Sequence, residues 1–245
     1  AQFYKQSRVW DYLVSANHFS SEAFRSAFLF DKEILEYGYP RNDILHRNNK
    51  EEIAARIRKK LKIPEGKKTI LYAPTWRDNE YYGHGKYKFA LHLDLRLLRK
   101  ELGEDYVVLL RTHYFIADSL DVTGVEDFAI NVSKYDDISE LYLVSDMLIT
   151  DYSSVFFDFA NLKRPILFYT YDLDKYRDMI RGFYLDIETE VPGPLLYTNE
   201  EVVEAIKHIE DISSEYQEKY DAFYERFCSL EDGHAAEKIA REVFC

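Results

Sequence analysis

The segment Thr150-Asp151-Tyr152-Ser153-Ser154 carries residue types that can hold an anion. It follows the apolar run Met147-Leu148-Ile149 and precedes Val155-Phe156-Phe157, so a strand ends and a helix begins within it. Two hydroxyls at such a junction, together with the unpaired first-turn amides and the positive end of the helix dipole, make a small site for phosphate or pyrophosphate. Asp151 or Ser153 would serve equally well as an ordinary helix cap. A second pair, Arg111 and His113, stands two residues apart after Leu109-Leu110. It offers a fixed cation and a group that titrates near neutrality, as a leaving diphosphate needs; the alternative is a surface loop with a hydrogen-bonded histidine. In Tyr72-Ala73-Pro74-Thr75-Trp76-Arg77-Asp78, Trp76 can stack on a base or fill a gap beneath a loop, and Arg77 can pair with phosphate or stay solvated. Gly38-Tyr39-Pro40-Arg41-Asn42-Asp43 taken alone reads as a turn.

The elements that position these residues follow from hydrophobic rhythm. Short apolar runs at Thr69–Ala73, Tyr106–Leu110, Phe128–Val132, Met147–Thr150 and Ile166–Tyr169 alternate with helical patterns at Leu91–Leu102, Asp137–Val144 and Val155–Leu162. Continuous apolar strands alternating with amphipathic helices predict an α/β fold, a Rossmann-like parallel sheet with helices on both faces. Ligands of such sheets gather at the carboxyl ends of the strands, which is where the unusual residues stand. Before the first of these strands the pattern is helical, with a capped helix at Ser20–Phe28 and a charged one at Lys50–Lys62; after Asn199 it is helical again.

Composition narrows the chemistry. The 245 residues are 47% hydrophobic and 16% aromatic, enough for a substantial core. A net charge of −12 argues against nonspecific nucleic-acid binding and against holding an anionic membrane, so any anion must be met by a local convergence of a few cations and amides. The two cysteines, Cys228 and Cys245, have no metal-like spacing and fit a reduced, cytoplasmic setting. No Gly-x-Gly-x-x-Gly, no Gly-Lys-Ser/Thr loop, no metal-spaced cluster and no Gly-x-Ser-x-Gly elbow is present; neither a cofactor nor a metal is expected.

In this order, these segments resemble the CDP-glycerol glycerophosphotransferase family, which includes the teichoic acid primases and polymerases. The resemblance is carried by Gly38–Asp43, Tyr72–Arg77, Arg111-Thr112-His113, and Ser145–Ser154 with Phe157-Asp158-Phe159 downstream. Glu231-Asp232-Gly233 resembles the family's closing stretch, and the likeness covers nearly the whole chain. It implies the carboxyl-terminal lobe of a GT-B-type enzyme, in which two Rossmann-like lobes face each other across a cleft. Residues 1–62 would be a helical segment linking from an amino-terminal acceptor lobe missing from this sequence, 63–198 a CDP-glycerol-binding domain, and 199–245 helices packing back on the lobes. The implied reaction passes glycerol phosphate from CDP-glycerol to a growing poly(glycerol phosphate) wall teichoic acid chain on a lipid-linked acceptor. By residue-for-residue carry-over, His113 is catalytic, contacting the donor phosphate, and Ser153 and Ser154 hold the pyrophosphate. Arg111 and Asp151 shape the site, and Trp76, Arg77 and Arg41 complete the substrate-binding set. The implied location is cytoplasmic, peripheral at the inner face of the membrane, with membrane contact through parts absent here and no nucleic-acid partner.

The family's upstream Trp-His-Gly-Thr-Pro-like element, whose histidine is implicated as the acceptor base, has no counterpart; His84-Gly85 lies after the first strand. The chain alone is therefore expected to bind donor without extending polymer. A GT-B nucleotide-sugar transferase and a noncatalytic nucleotide-binding module remain as alternatives, separable by the donor bound.

Overall fold

A computed structural model describes residues 2–75, 81–82, 86–87, 91–113, 120–176 and 184–245. The chain opens with α1 (Gln2–Ser7), β1 (Tyr12–Ser15), α2 (His18–Phe28) and β2 (Glu33–Glu36). β1 and β2 pair in parallel, Tyr12 opposite Glu33, so the segment expected to be helical contains a two-stranded sheet. Both strands are four residues long and only partly covered, too short and too polar to show as apolar runs. A 3-10 segment, Pro40–His46, and α3 (Lys50–Lys60) lead into the main sheet.

The main sheet begins with β3 (Lys68–Tyr72). A small antiparallel pair follows, β4 (Tyr81–Tyr82) with β5 (Lys86–Tyr87). Next come α4 (Leu95–Leu102), β6 (Tyr106–Leu110), β7 (Ala129–Asn131), α5 (Ile138–Val144), β8 (Met147–Thr150) and the one-turn α6 (Val155–Phe159). A 3-10 turn at Ala160–Leu162 extends α6 before β9 (Ile166–Tyr169), α7 (Leu173–Lys175) and the two-residue β10 (Leu195–Leu196). The chain continues through α8 (Asn199–Lys207), α9 (Ile209–Glu215), α10 (Gln217–Phe227) and α11 (Ala235–Phe244).

Across the sheet the order is β7-β6-β3-β8-β9-β10, every pairing parallel. The chain starts at the centre, winds outward through β6 and β7, then returns to β8 and winds outward the other way. Crossovers running in two opposite directions put helices on both faces. Side chains along a strand alternate between faces, and both faces are apolar. Leu71, Leu109, Leu148 and Phe168 pack with α3, α5, α6 and α10, while Ile70, Val108, Ile149 and Leu167 pack with α4 and α8. This two-sided burial is why the strands read as unbroken apolar runs. Among the described residues no helix is long and apolar enough to cross a membrane.

The central seam is held at its carboxyl end by side-chain as well as ladder bonds. The Thr150 hydroxyl, fully buried, donates to the Ala73 carbonyl at 2.7 Å. Thr150→Val keeps the shape and removes that bond, and is expected to lower stability by about 1–3 kcal/mol, read as a lower urea midpoint at unchanged slope.

Candidate functional site at the strand ends

β3 is the strand from which the chain departs in both directions, so the loops leaving β3 and β8 diverge at their carboxyl ends and open a crevice. Asp151 stands at that fork, 2% exposed, and its Oδ1 accepts from the Thr75 amide at 2.7 Å and the Tyr152 amide at 2.6 Å. The carboxylate ties the start of the β3 loop to the start of the β8 loop. It does not cap α6. Ser154 is the residue before α6 and its side chain makes no capping bond. Ser153 is half-buried and Ser154 exposed, and neither hydroxyl has a protein partner among the described residues. The sequence left an ordinary helix cap open as a reading; the geometry instead leaves both hydroxyls available at the fork. Trp76 and Arg77 follow directly on Thr75 and lie outside the described residues.

On the other side of β3, the Arg111 amide continues the ladder to the Tyr72 carbonyl at 2.9 Å. Its guanidinium Nη1 donates to the carbonyls of Val132, Ser133 and Tyr135 at 3.0, 2.8 and 2.6 Å. Burial pulls this guanidinium below its ordinary range. Arg111 therefore fixes the turn after β7, and Thr112 adds a bond from its amide to the Ser133 hydroxyl at 3.1 Å. The half-buried His113 is carried at the end of this braced loop.

Arg41 lies in neither loop. It arrives from the 3-10 segment, and its Nε and Nη2 grip Asp158 of α6 at 3.0 and 3.1 Å while the guanidinium rests over the Tyr39 ring, 4.1 Å from its centre. The Asn42 side chain, 1% exposed, donates from Nδ2 to Asp158 and to Glu231, both at 2.9 Å. Asp43 caps α11, accepting from the amides of Ala235 and Ala236 at 2.9 Å each. Two glycines make room for this knot. Gly38 (φ +89) would set a Cβ 3.2 Å from Glu231 Oε2, and Gly233 (φ +83) would set one 2.9 Å from His46 Cβ. The apparent turn at Gly38–Asp43 is thus a junction binding α6 and the closing turn.

This junction forms one wall of a cavity of about 460 Å³. Arg41, Tyr39, Asp158 and Glu231 line it together with Tyr152, Ser154 and apolar side chains from α2 and α10. Arg41 and Ser154 are therefore brought to one cavity, whereas Arg111 and His113 stand at the end of β6, on the far side of β3. Asn42, Asp158, Glu231 and the buried Tyr142 were not picked out from sequence. The Tyr142 hydroxyl has no partner among the described residues, and burial pushes its phenol above the ordinary range, with the charges of Asp158, Arg41 and Arg111 within electrostatic reach. The signal for Asp158 and Glu231 was present in their motifs, but not their role.

Residues 1–245 match the family described as CDP-glycerol:poly(glycerophosphate) glycerophosphotransferase. The teichoic acid poly(glycerol phosphate) polymerase of Bacillus subtilis (strain 168) is 54% identical over 242 residues, covering 99% of this chain and 32% of that protein. The teichoic acid glycerol-phosphate transferase of Staphylococcus aureus (strain NCTC 8325 / PS 47) is 50% identical over 244 residues, covering 99% and 62%. A solved structure of the wall teichoic acid polymerase TagF superposes with a TM-score of 0.91 at 50% identity, covering 98% of this chain and 59% of that one. The chain thus spans 32–62% of the length of these relatives.

The junction carries a signature that solution measurements can read. Burial, only partly offset by the Asn42 and Tyr39 hydrogen bonds, pushes the Glu231 carboxyl up from 4.5 to about 7. The folded state then binds a proton that the unfolded state has released, so the stability Glu231 contributes is present below about pH 4.5 and is lost as the pH rises through about 7. The difference between wild type and Glu231→Gln is expected to fall by about 3 kcal/mol across that window, at 1.36 kcal/mol per pKa unit. Urea denaturation of both proteins at pH 5, 6, 7 and 8 checks this; a constant difference excludes it.

Proposed function

The chain belongs to the CDP-glycerol:poly(glycerophosphate) glycerophosphotransferase family, and from that membership and the fork between β3 and β8 we propose that it supplies the donor-binding part of an enzyme that passes glycerol phosphate from CDP-glycerol to a growing poly(glycerol phosphate) chain. Its fold is a Rossmann-like lobe of the GT-B type. The observation that carries the reading is the pair of available hydroxyls, Ser153 and Ser154, at the crevice where a doubly wound sheet binds its ligand. The pyrophosphate of the donor lies over the start of α6, held by those hydroxyls. Asp151 keeps the two loops at a fixed separation, and Arg111, by bracing the turn after β7, sets the position of His113. His113 approaches the donor from the β6 side and offsets charge as the acceptor hydroxyl attacks the glycerol-bearing phosphorus and CMP leaves. Trp76 and Arg77, directly after Thr75 in the sequence and outside the described residues, complete the proposed substrate-binding set. Phosphoryl transfer depends mostly on positioning and on charge stabilisation of this kind.

In this reading residues 63–198 bind the donor, 1–62 join it to an acceptor lobe, and 199–245 pack back on the junction at Gly38–Asp43. The acceptor is a lipid-linked poly(glycerol phosphate), and the enzyme works peripherally at the cytoplasmic face of the membrane.

Calorimetry tests the donor assignment directly. CDP-glycerol is expected to bind in preference to UDP-sugars, and combining Ser153→Ala with Ser154→Ala is expected to weaken it by about 1–3 kcal/mol, the range for lost hydrogen bonds to a charged group. Unchanged binding in the double variant removes the pyrophosphate from α6. In the longer enzyme, His113→Ala is expected to slow turnover about tenfold to a hundredfold at an unchanged melting temperature.

A further inference from the structure

The cavity wall built by the Gly38–Asp43 junction holds two carboxyl groups and one cation. Both oxygens of Asp158 are engaged by Arg41. Asn42 divides its amide hydrogens between Asp158 Oδ1 and Glu231 Oε1, and among the described residues Glu231 Oε2 receives only the Tyr39 amide, at 3.3 Å. Glu231 is 6% exposed and forms no ion pair among the described residues. Because Asn42 Nδ2 donates to both carboxyls, the amide cannot turn toward one without abandoning the other, and the Asn42 Oδ1 atom is buried and without a partner among the described residues.

We propose that Glu231 is a positioning residue for Arg41: as a neutral acid it leaves the Asn42 amide and the Asp158 carboxylate to hold the guanidinium at the cavity wall, and as an anion it competes for the same amide and the same positive charge, so that the cavity holds an anionic ligand less tightly. This rests on the donor-binding reading above. With Glu231 neutral, Arg41 and Asp158 sum to zero charge; with Glu231 ionised, the wall gains a net negative charge facing the ligand. The direction is therefore fixed: donor affinity falls as the pH rises.

The groups facing Glu231 are Arg41, Asp158, Tyr39, Tyr224 and Cys228. Arg41 stays a cation: burial pulls its guanidinium down, but the hydrogen bonds and charge of Asp158, with Tyr39 and Tyr142 nearby, together raise it. Burial raises the phenols of Tyr39 and Tyr224, and it pushes the Cys228 thiol up to about 12. Asp158 is held in its ion pair with Arg41. His46, on the same 3-10 segment, directs its ring to Asn161 at 3.3 Å and is the group that a control must separate.

CDP-glycerol suits the test because both its phosphates are esterified and carry constant charge around neutrality. Its affinity for the full chain, measured by calorimetry from pH 6 to pH 8, is expected to fall about fivefold in the wild type, the order expected for one added charge near the ligand in a partly screened site. In Glu231→Gln, which keeps the shape and stays neutral, the affinity is expected to be level. An equal fall in Glu231→Gln assigns the effect to a histidine and overturns the proposal. A readout without ligand separates this from the donor reading: the Arg41 Nε–H resonance is expected to shift with a midpoint near neutrality in the wild type and to stay put in Glu231→Gln. A resonance that does not move overturns the positioning role whether or not donor binds. A moving resonance with no CDP-glycerol binding at any pH upholds that role and overturns the donor reading instead.

Discussion

Asp158 is the carboxylate on which distant stretches of chain converge. It sits on a helix of a single turn, far too short to be stable by itself, and its side chain is almost wholly covered. A carboxylate taken that far from water must be matched by charge and hydrogen bonds or be strongly destabilising. Arg41 and Asn42 supply the match, which requires the Pro40–His46 segment to lie against α6 and nowhere else. Once that segment is placed, Asn42 reaches Glu231 and Asp43 reaches the amides of α11, so the closing turn is placed as well. The cavity that contains Ser154 exists because this chain of requirements fixes one of its walls.

The main sheet imposes the other constraint. Because β3 is flanked by β6 and β8, two loops must separate at its carboxyl end, and a gap opens there without any side chain being needed to prop it. What side chains do is set its width. Asp151 binds the β8 loop to the amide of Thr75 on one side, and Arg111 binds the turn after β7 on the other. In an acidic protein, a gap lined by polar groups that are already oriented needs few cations to meet an anion.

Much of the sheet was legible because its strands are buried on both faces. Tyr106–Leu110 and Met147–Thr150 have no exposed side to interrupt the apolar run. β1 and β2 were missed for the opposite reason: they are four residues long, and Glu33 and Glu36 put charge at both ends of β2. β10, two residues following Pro194, has too little pattern to detect. At the site, strand ends could be located, and with them Arg111, His113, Asp151 and the two serines. What each side chain does could not be read in the same way. Arg111 reads as a phosphate ligand from its type and position, yet the Nη1 of its guanidinium serves three carbonyls 21 to 24 residues away. The role of Asn42 depends on partners 116 and 189 positions distant, which no local pattern encodes.

Those separations bear on how the molecule comes into being. The bonds from Asp43 to the start of α11 bridge 192 positions, and contacts of such range form late because the chain entropy of closing the loop must be overcome first. During synthesis the sheet strands leave the ribosome in order and are complete by β10, while residues 231–236 are still to come. Until they emerge, Asn42 can reach Asp158 but not Glu231, Asp43 has no α11 amides to accept from, and the wall that carries Arg41 stays unfinished. A nascent chain can therefore hold a finished sheet well before it holds a finished cavity, whose wall is completed only once residues 231–236 have been translated.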